Sequence, residues 1–168
     1  MYINDIHKSS NLLKFFLFAD DTTIFCSGKN WVDLIVLINQ EMDRVADWLK
    51  ANKLSLNVKK TKYIVFRQPK HILTTNLILV DGVEIEQVSS TKFLGIEIDS
   101  DLTWKIHIHK LESKLASIIG VIGTLRFKLN IDITILLYNT LILPHLNYCN
   151  LLWASNYKPS LTKIHNLL

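Results

Sequence analysis

Two neighbouring carboxylates, Asp20 and Asp21, are the residues of this chain whose types and spacing point most directly to chemistry. They lie within Lys14 to Ser27, KFFLFADDTTIFCS, between two apolar runs rich in Phe, Ile and Leu. Phe and Ile favour a pleated, half-buried surface, whereas strand interiors exclude carboxylates, so the pattern predicts a β-hairpin with the acids at its turn. Two carboxylates held side by side on a rigid turn repel unless a cation lies between them, and hard, oxygen-seeking ions such as magnesium are the natural partners. The chemistry such a pair supports is metal-assisted phosphoryl transfer. A plainer alternative stands beside it: Asp-Asp-Thr-Thr also fits a solvated turn, because Asp and Thr side chains bond their own backbone there.

The elements that must hold this hairpin follow from the periodicity. After a Gly28-Lys29-Asn30 turn, Ile35, Ile38, Met42, Val45 and Leu49 recur at steps of three and four, predicting an amphipathic helix from Trp31 to near Asn52. Asp33, Glu41, Arg44, Asp47 and Lys50 mark its solvated face. One helix cannot bury such a stripe alone, so it is expected to lie on the sheet that the hairpin begins. Lys53 to Asn57 reads as extended, the basic turn Val58-Lys59-Lys60-Thr61 follows, and Lys62 to Phe66 alternates as a strand. Asp81-Gly82, between β-favouring residues, signals a further hairpin because the pair supplies positive φ angles. Lys92 to Ile98 reads as another strand, in which Gly95 suggests a bulge or a close backbone approach.

From Trp104 the period turns helical, with Ile108, Leu111, Leu115, Ile118, Ile122 and Leu125 on one stripe; Gly120 and Gly123 weaken this helix and leave room for another backbone. Asn130 or Asp132 can cap a following helix that Pro144 breaks after Leu143, with helix resuming from His145 to Trp153. Strands give way to helices near Ser100 to Thr103. The expected fold class is therefore α+β, with a first region over residues 1–102 and an all-helical second region over 103–168.

A chain of 168 residues that is 49% hydrophobic can bury a core, which excludes a disordered tail. Basic residues exceed acids by 19 to 15, and the distribution is more telling than the total. Seven basic residues (Lys50, Lys53, Lys59, Lys60, Lys62, Arg67 and Lys70) and no acid lie between Trp48 and Val80, a segment suited to a polyanion. Cys26 and Cys149 are far apart and in no paired spacing, which reads as reduced thiols in an intracellular protein, nuclear or cytoplasmic, and the N-terminus carries no secretion signal. The uncharged run Ile133 to Tyr157 contains Asn139, Thr140, Pro144, His145, Asn147 and Asn150, so it suits buried helices better than a membrane span. Phe15, Phe16, Phe25, Tyr63 and Phe66 suit core positions better than base-stacking platforms. His107 and His109, two residues apart on a helix, point to different sides and do not make a metal pair.

Phe18-Ala19-Asp20-Asp21, preceded by Tyr2-Ile3-Asn4-Asp5-Ile6, resembles the catalytic hairpin of reverse transcriptases, in particular those of non-LTR (LINE-like) retrotransposons, whose tip reads Phe/Tyr-Ala-Asp-Asp. The resemblance extends along the chain. Trp48, Asn52, Leu54, Leu56, Asn57, Lys60, Thr61 and Phe66 match the spacing W-x3-N-x-L-x-L-N-x2-K-T-x4-F that follows the hairpin in these enzymes. Phe93-Leu94-Gly95-Ile96, Asp99, Leu102, Trp104 and His107-Ile108 are similar to the next segment, F-L-G-x3-D-x2-L-x-W-x2-H-I. Tyr138, Leu141, Ile142, Pro144-His145-Leu146, Tyr148 and Trp153 are similar to the helical pattern that ends the polymerase region.

The resemblance implies a partial polymerase palm with the catalytic hairpin and a packed helix, followed by a helical thumb. It makes Asp20 and Asp21 ligands of Mg2+ (or Mn2+) in two-metal nucleotidyl transfer, in which developing charge on the attacking and leaving oxygens is stabilised. It places Lys60 beside that site, where a lysine can donate a proton to, or neutralise, the leaving pyrophosphate; Lys60 also fits a solvated basic turn. Lys59, Lys62, Arg67 and Lys70 become phosphate-facing candidates, and Phe93, Leu94, Gly95 and Ile96 correspond to the hairpin that supports the primer terminus. The implied partners are an RNA template, a DNA primer and nucleoside triphosphates. These enzymes take another metal-binding aspartate and the nucleotide-gripping fingers from upstream, so this chain is expected to be inactive alone and to self-associate through an exposed, truncated palm. The competing class is a non-catalytic remnant that binds nucleic acid or a protein; a calcium module is disfavoured because no loop offers the spaced ligands.

Overall fold

A computed structural model describes residues 3–66, 77–125 and 127–154. The chain divides into two compact units, Met1–Tyr63 with Gln68–Val88, and Ile64–Arg67 with Ser89–Leu168. The division thus falls ahead of the strands near residue 90, which group with the helices that follow them. The overall class is α+β.

In the first unit, a 3-10 helix Asn4–Ser9 leads into β1 (Lys14–Phe18) and β2 (Asp21–Phe25), an antiparallel pair. Ser10 marks the entry: its buried hydroxyl accepts the amides of Leu12 and Leu13 at 3.1 and 3.0 Å. Helix α1 spans Trp31–Ala51, and its N-cap Asn30 accepts from the amide of Val32. Its buried stripe of Ile35, Met42, Val45 and Leu49 forms one core with Ile6, Leu13 and Val80, and Phe15 and Ile24 of the hairpin pack against it. The helix and the hairpin therefore share a core, as the apolar stripe requires. Glu41 is a correction to the face assigned from sequence: it is 2% exposed. One carboxylate oxygen accepts from Arg44 Nη1 at 2.7 Å, and the other has no partner among the described residues.

The remaining strands of this unit are short. β3 is only Lys62–Tyr63, paired in parallel with β6 (Glu86–Gln87), so the strand expected over Lys62 to Phe66 stops after two residues. β4 (Leu79–Val80) and β5 (Val83–Glu84) form the expected hairpin, with Asp81 and Gly82 at φ 52° and 74°. Among the described residues the strands form four separate two-stranded pairs, not one sheet. Phe16, Phe25 and Phe66 are exposed, against the core role expected of them.

The second unit begins with β7 (Ser90–Phe93) and β8 (Ile96–Asp99), an antiparallel hairpin. The reading of Lys92 to Ile98 as a single strand is overturned here. Leu94 and Gly95 take φ 44° and 91°, and positive φ at both central positions folds the chain back in a two-residue turn rather than a bulge. Helix α2 (Lys105–Leu125) buries Ile108, Leu111 and Leu115 with Ile96, Trp104, Ile142 and Trp153. Among the described residues nothing lies within 4 Å of the Cβ position of Gly120 or Gly123. α3 (Ile131–Leu137) is capped by Asn130, whose side chain accepts from Ile133 N at 2.9 Å.

Pro144 does not break this helix as expected. A π-helical turn, Tyr138–Ile142, precedes it, and Pro144 falls in the first turn of α4 (Leu143–Asn147), where an amide is not needed. The chain then leaves the helix at Tyr148, and Cys149 at φ 51° starts α5 (Asn150–Trp153), so His145 to Trp153 is two short helices. No helix of the described residues is long and apolar enough to cross a membrane.

Candidate active site

Phe18 pairs with Asp21, so β1 and β2 are joined by Ala19 and Asp20 alone. Asp20 occupies the loop and Asp21 opens β2. Directly opposed residues of an antiparallel pair share a face, which sets Asp21 with Phe18, Phe16 and Thr23, and sets Phe15 with Ile24 on the other side. The Phe15 and Ile24 side packs on the core. The opposite side is open, with Phe16 56% and Phe18 63% exposed. Ala19 holds φ 52°, a left-handed conformation that costs an L-residue roughly 1–2 kcal/mol. Strain of this kind persists where surrounding structure imposes it, often at functional loops.

The tight turn presents both carboxylates to solvent, and among the described residues no hydrogen bond or ion pair engages either one. Two adjacent, open carboxylates suit a hard divalent ion, which takes oxygen ligands and completes its shell with water and phosphate oxygens. Among the described residues no cluster of three or more His, Cys, Asp or Glu forms a ready-made ion site.

The lysine turn is built locally. Val58–Lys60 is a 3-10 turn in which Lys60 N and Thr61 N donate to Asn57 O at 3.0 and 3.1 Å, and the Thr61 hydroxyl donates to the same oxygen at 3.0 Å. Val58 leans on the core that also takes Phe15 and Ile24. Lys59 and Lys60 are therefore exposed on a fixed turn of the unit that carries the hairpin. Lys62 differs, because its Nζ lies 3.1 Å from Glu86 across the parallel pair, and part of its charge is already answered. Arg67 and Lys70 lie outside the described residues.

Several motif positions between α1 and this turn have a structural explanation. Asn52 Nδ2 donates to Trp48 O at 2.9 Å, Lys53 takes φ 57°, and Leu54 N donates to Leu49 O at 2.9 Å, which together end the helix by a left-handed C-terminal cap. A shallow surface concavity at the start of α1, lined by Ser27, Gly28, Asn30 and Leu34 among others, contains none of the candidate residues.

In the second unit, Phe93 and Ile96 close the β7–β8 turn, with Ile96 buried and Leu94 and Gly95 exposed at its tip. Three further residues here were not marked as site residues by the sequence. Asp99, 8% exposed, accepts Asp101 N and Thr103 N on Oδ1 at 3.2 and 2.9 Å, and Trp104 N on Oδ2 at 2.8 Å. Its carboxylate organises the turn, strained at Leu102 (φ 53°) and Trp104 (φ 62°), that starts α2. An acid followed within five residues by a helical period is a capping signal that could have found it. His107 Nδ1 accepts from the Glu97 amide at 3.4 Å, and its ring meets Trp153 at a centroid distance of 5.7 Å. Burial pushes the His107 pKa below its ordinary value, with the Glu97 carboxylate opposing. Tyr148 reaches the β7–β8 turn through its hydroxyl, a contact that sequence spacing does not reveal.

Residues 1–98 match the family described as reverse transcriptase (RNA-dependent DNA polymerase), and the chain belongs to that family. Its relatives place it in the LINE-like, non-LTR group of mobile elements. It is 23% identical over 153 residues to "RNA-directed DNA polymerase from mobile element jockey" of Drosophila funebris, covering 89% of this chain and 16% of that protein. It is 22% identical over 141 residues to "Probable RNA-directed DNA polymerase from transposon X-element" of Drosophila melanogaster, covering 82% of this chain and 15% of that protein. The chain thus spans about a sixth of the length of these relatives. No solved structure matches it.

Proposed function

We propose that this chain supplies the catalytic hairpin and the downstream palm and thumb portion of an RNA-directed DNA polymerase acting on an RNA template, a DNA primer and nucleoside triphosphates. The observation that carries this reading is the pair of adjacent, exposed carboxylates, one in and one beside a turn strained at Ala19, without partners among the described residues. Asp20 and Asp21 hold the divalent ion, Mg2+ or Mn2+. When bound, that ion stabilises developing charge on the oxygens of phosphoryl transfer. The turn keeps both carboxylates in one place, and Ala19 keeps the tip small beside a primer end. Lys60 neutralises charge on the departing pyrophosphate. Two carboxylates fall short of the ligand set that a two-ion site needs, and no cluster of three or more ligands forms among the described residues, so the isolated chain should be inactive.

Two measurements test this. In the isolated chain, Mn2+ should broaden the amide resonances of Asp20 to Thr22 first, and Asp20→Asn should weaken that effect at least tenfold; equal broadening in the variant sinks the metal assignment. Primer extension on a primed RNA template with magnesium and nucleotides should give no product, and robust extension overturns the claim of inactivity.

A second reading, binding of nucleic acid without chemistry, is favoured by one observation: Lys59 and Lys60 are exposed on a fixed turn with no ion pair among the described residues. Salt-dependent binding that is indifferent to divalent ions and to Asp20→Asn supports it. Lys59→Ala and Lys60→Ala should each flatten the salt slope by about one, and Lys62→Ala should do so by less.

A further inference from the structure

Tyr148 sits where α4 ends, its ψ of 115° carrying the chain out of the helix. Its side chain crosses to the β7–β8 hairpin, where the hydroxyl donates to the carbonyl oxygen of Leu94. The ring lies against Gly95, so that a Cβ added there would meet Tyr148 Cε1 at 3.3 Å. At its other end, the backbone carbonyl of Tyr148 accepts from Trp153 Nε1 at 3.0 Å, and Trp153 is 2% exposed. The Trp153 ring meets His107, whose Nδ1 takes the amide of Glu97 on β8. Tyr148 is thus fixed from the core at one end and fixes the turn at the other, although 49% of its surface is exposed.

The turn needs such support. Leu94 is a bulky L-residue at φ 44°, outside the conformations it prefers. A residue of this kind holds its conformation only where its surroundings impose it. Tyr148 is the group that does so, since its hydroxyl bonds the Leu94 carbonyl and its ring fills the space beside Gly95. Gly95 is then required twice, for its own φ of 91° and for the seat of the tyrosine ring.

We propose that Tyr148 is a positioning residue for the β7–β8 turn, holding the Leu94–Gly95 tip in the one shape in which it meets a nucleic-acid backbone; the last clause rests on the primer-terminus reading of Phe93, Leu94, Gly95 and Ile96. The residue touches no reacting atom and acts through the turn.

The test is Tyr148→Phe in the full chain, which keeps the ring and removes the hydroxyl, with Gly95→Ala as a second variant that loosens the same seat from the other side. Amide hydrogen exchange is read at Phe93 and Ile96, the pair that closes the turn. Affinity is read with a DNA primer annealed to an RNA template, and the thermal midpoint is followed as a control for folding. In Tyr148→Phe, exchange at those two amides should accelerate roughly fivefold, the population change that loss of one hydrogen bond produces. Affinity for the primed duplex should fall twofold to fivefold, with a midpoint shift of no more than a few degrees. Unchanged exchange in Tyr148→Phe overturns the positioning role. Accelerated exchange in both variants with undiminished duplex affinity, or a wild-type chain that does not bind the duplex, overturns the primer-terminus reading and leaves Tyr148 as a determinant of the turn alone.

Discussion

The β1–β2 hairpin and the β7–β8 hairpin each join antiparallel strands through two residues with at least one in the left-handed region, yet their tips are treated in opposite ways. At the first tip the carboxylates of Asp20 and Asp21 are exposed without partners among the described residues. At the second, the Leu94 carbonyl is bonded by Tyr148; at the open end of the same hairpin Asp99, opposite Ser90, spends its whole carboxylate on backbone amides. The difference teaches how to tell an acid that is committed to the fold from one that is not. A carboxylate that satisfies the backbone is committed to the fold, and one held open on a strained turn has its lone pairs free for a cation.

The sharpest way to break this comparison is to remove one acid from each hairpin. Asp99→Ala leaves three backbone amides without their acceptor at a mostly buried site, and should lower stability by about 2–4 kcal/mol in denaturant unfolding. Asp20→Ala should change stability by no more than about 0.5 kcal/mol, since the exposed side chain has no partner among the described residues. Similar losses in both variants would end the distinction between the two acids.

A smaller effect separates backbone strain from the tyrosine contact. Gly95 and Gly82 both sit at positive φ, 91° and 74°, but among the described residues nothing lies within 4 Å of a Cβ built on Gly82, whereas Gly95 faces the Tyr148 ring. Gly82→Ala should cost about 1 kcal/mol from conformation alone, and Gly95→Ala should cost about 1 kcal/mol more. Equal costs by thermal unfolding would show that the tyrosine ring yields freely.

The smallest expected effect is a pH dependence of the second unit. Burial lowers the pKa of His107, against the opposing Glu97 carboxylate, which is itself paired with Lys110 Nζ at 2.7 Å. Over the interval below the ordinary histidine value near 6.5, the unfolded chain binds more protons than the folded one, so stability rises with pH. The contribution is complete above that value and is lost as pH falls through the lowered, folded value, where the ring must give up its acceptor role toward the Glu97 amide. His107→Gln, which keeps an acceptor and removes the titration, should flatten the stability profile between pH 7 and pH 5. An unchanged profile would place the titration elsewhere.

Local signals carried a good part of this protein. The hairpin with Asp20 in its loop follows from carboxylates set between β-favouring runs, and the Asp81-Gly82 turn from its need for positive φ. The long helices follow from their periods, and the Asn130 cap from a side chain that accepts a nearby amide. Each is decided within a few residues, where propensity and hydrogen-bond geometry act alone.

Other features were not legible, because each depends on groups distant in sequence. Lys92 to Ile98 alternates as one strand would, but the turn at Leu94 and Gly95 is supported by a tyrosine that a local reading does not see. Glu41 has the composition of a solvated face and is buried, since what covers a helix is set by the elements packed on it. Pro144 ends a helix by its own chemistry, but the π-helical turn before it places it where its missing amide costs nothing. The sequence by itself determined that two adjacent carboxylates would be presented by a tight turn between strands. Only the tertiary structure decided which face of that hairpin is closed by a core, and which of the chain's acids are consumed in holding it together, because burial and partner choice arise from long-range packing.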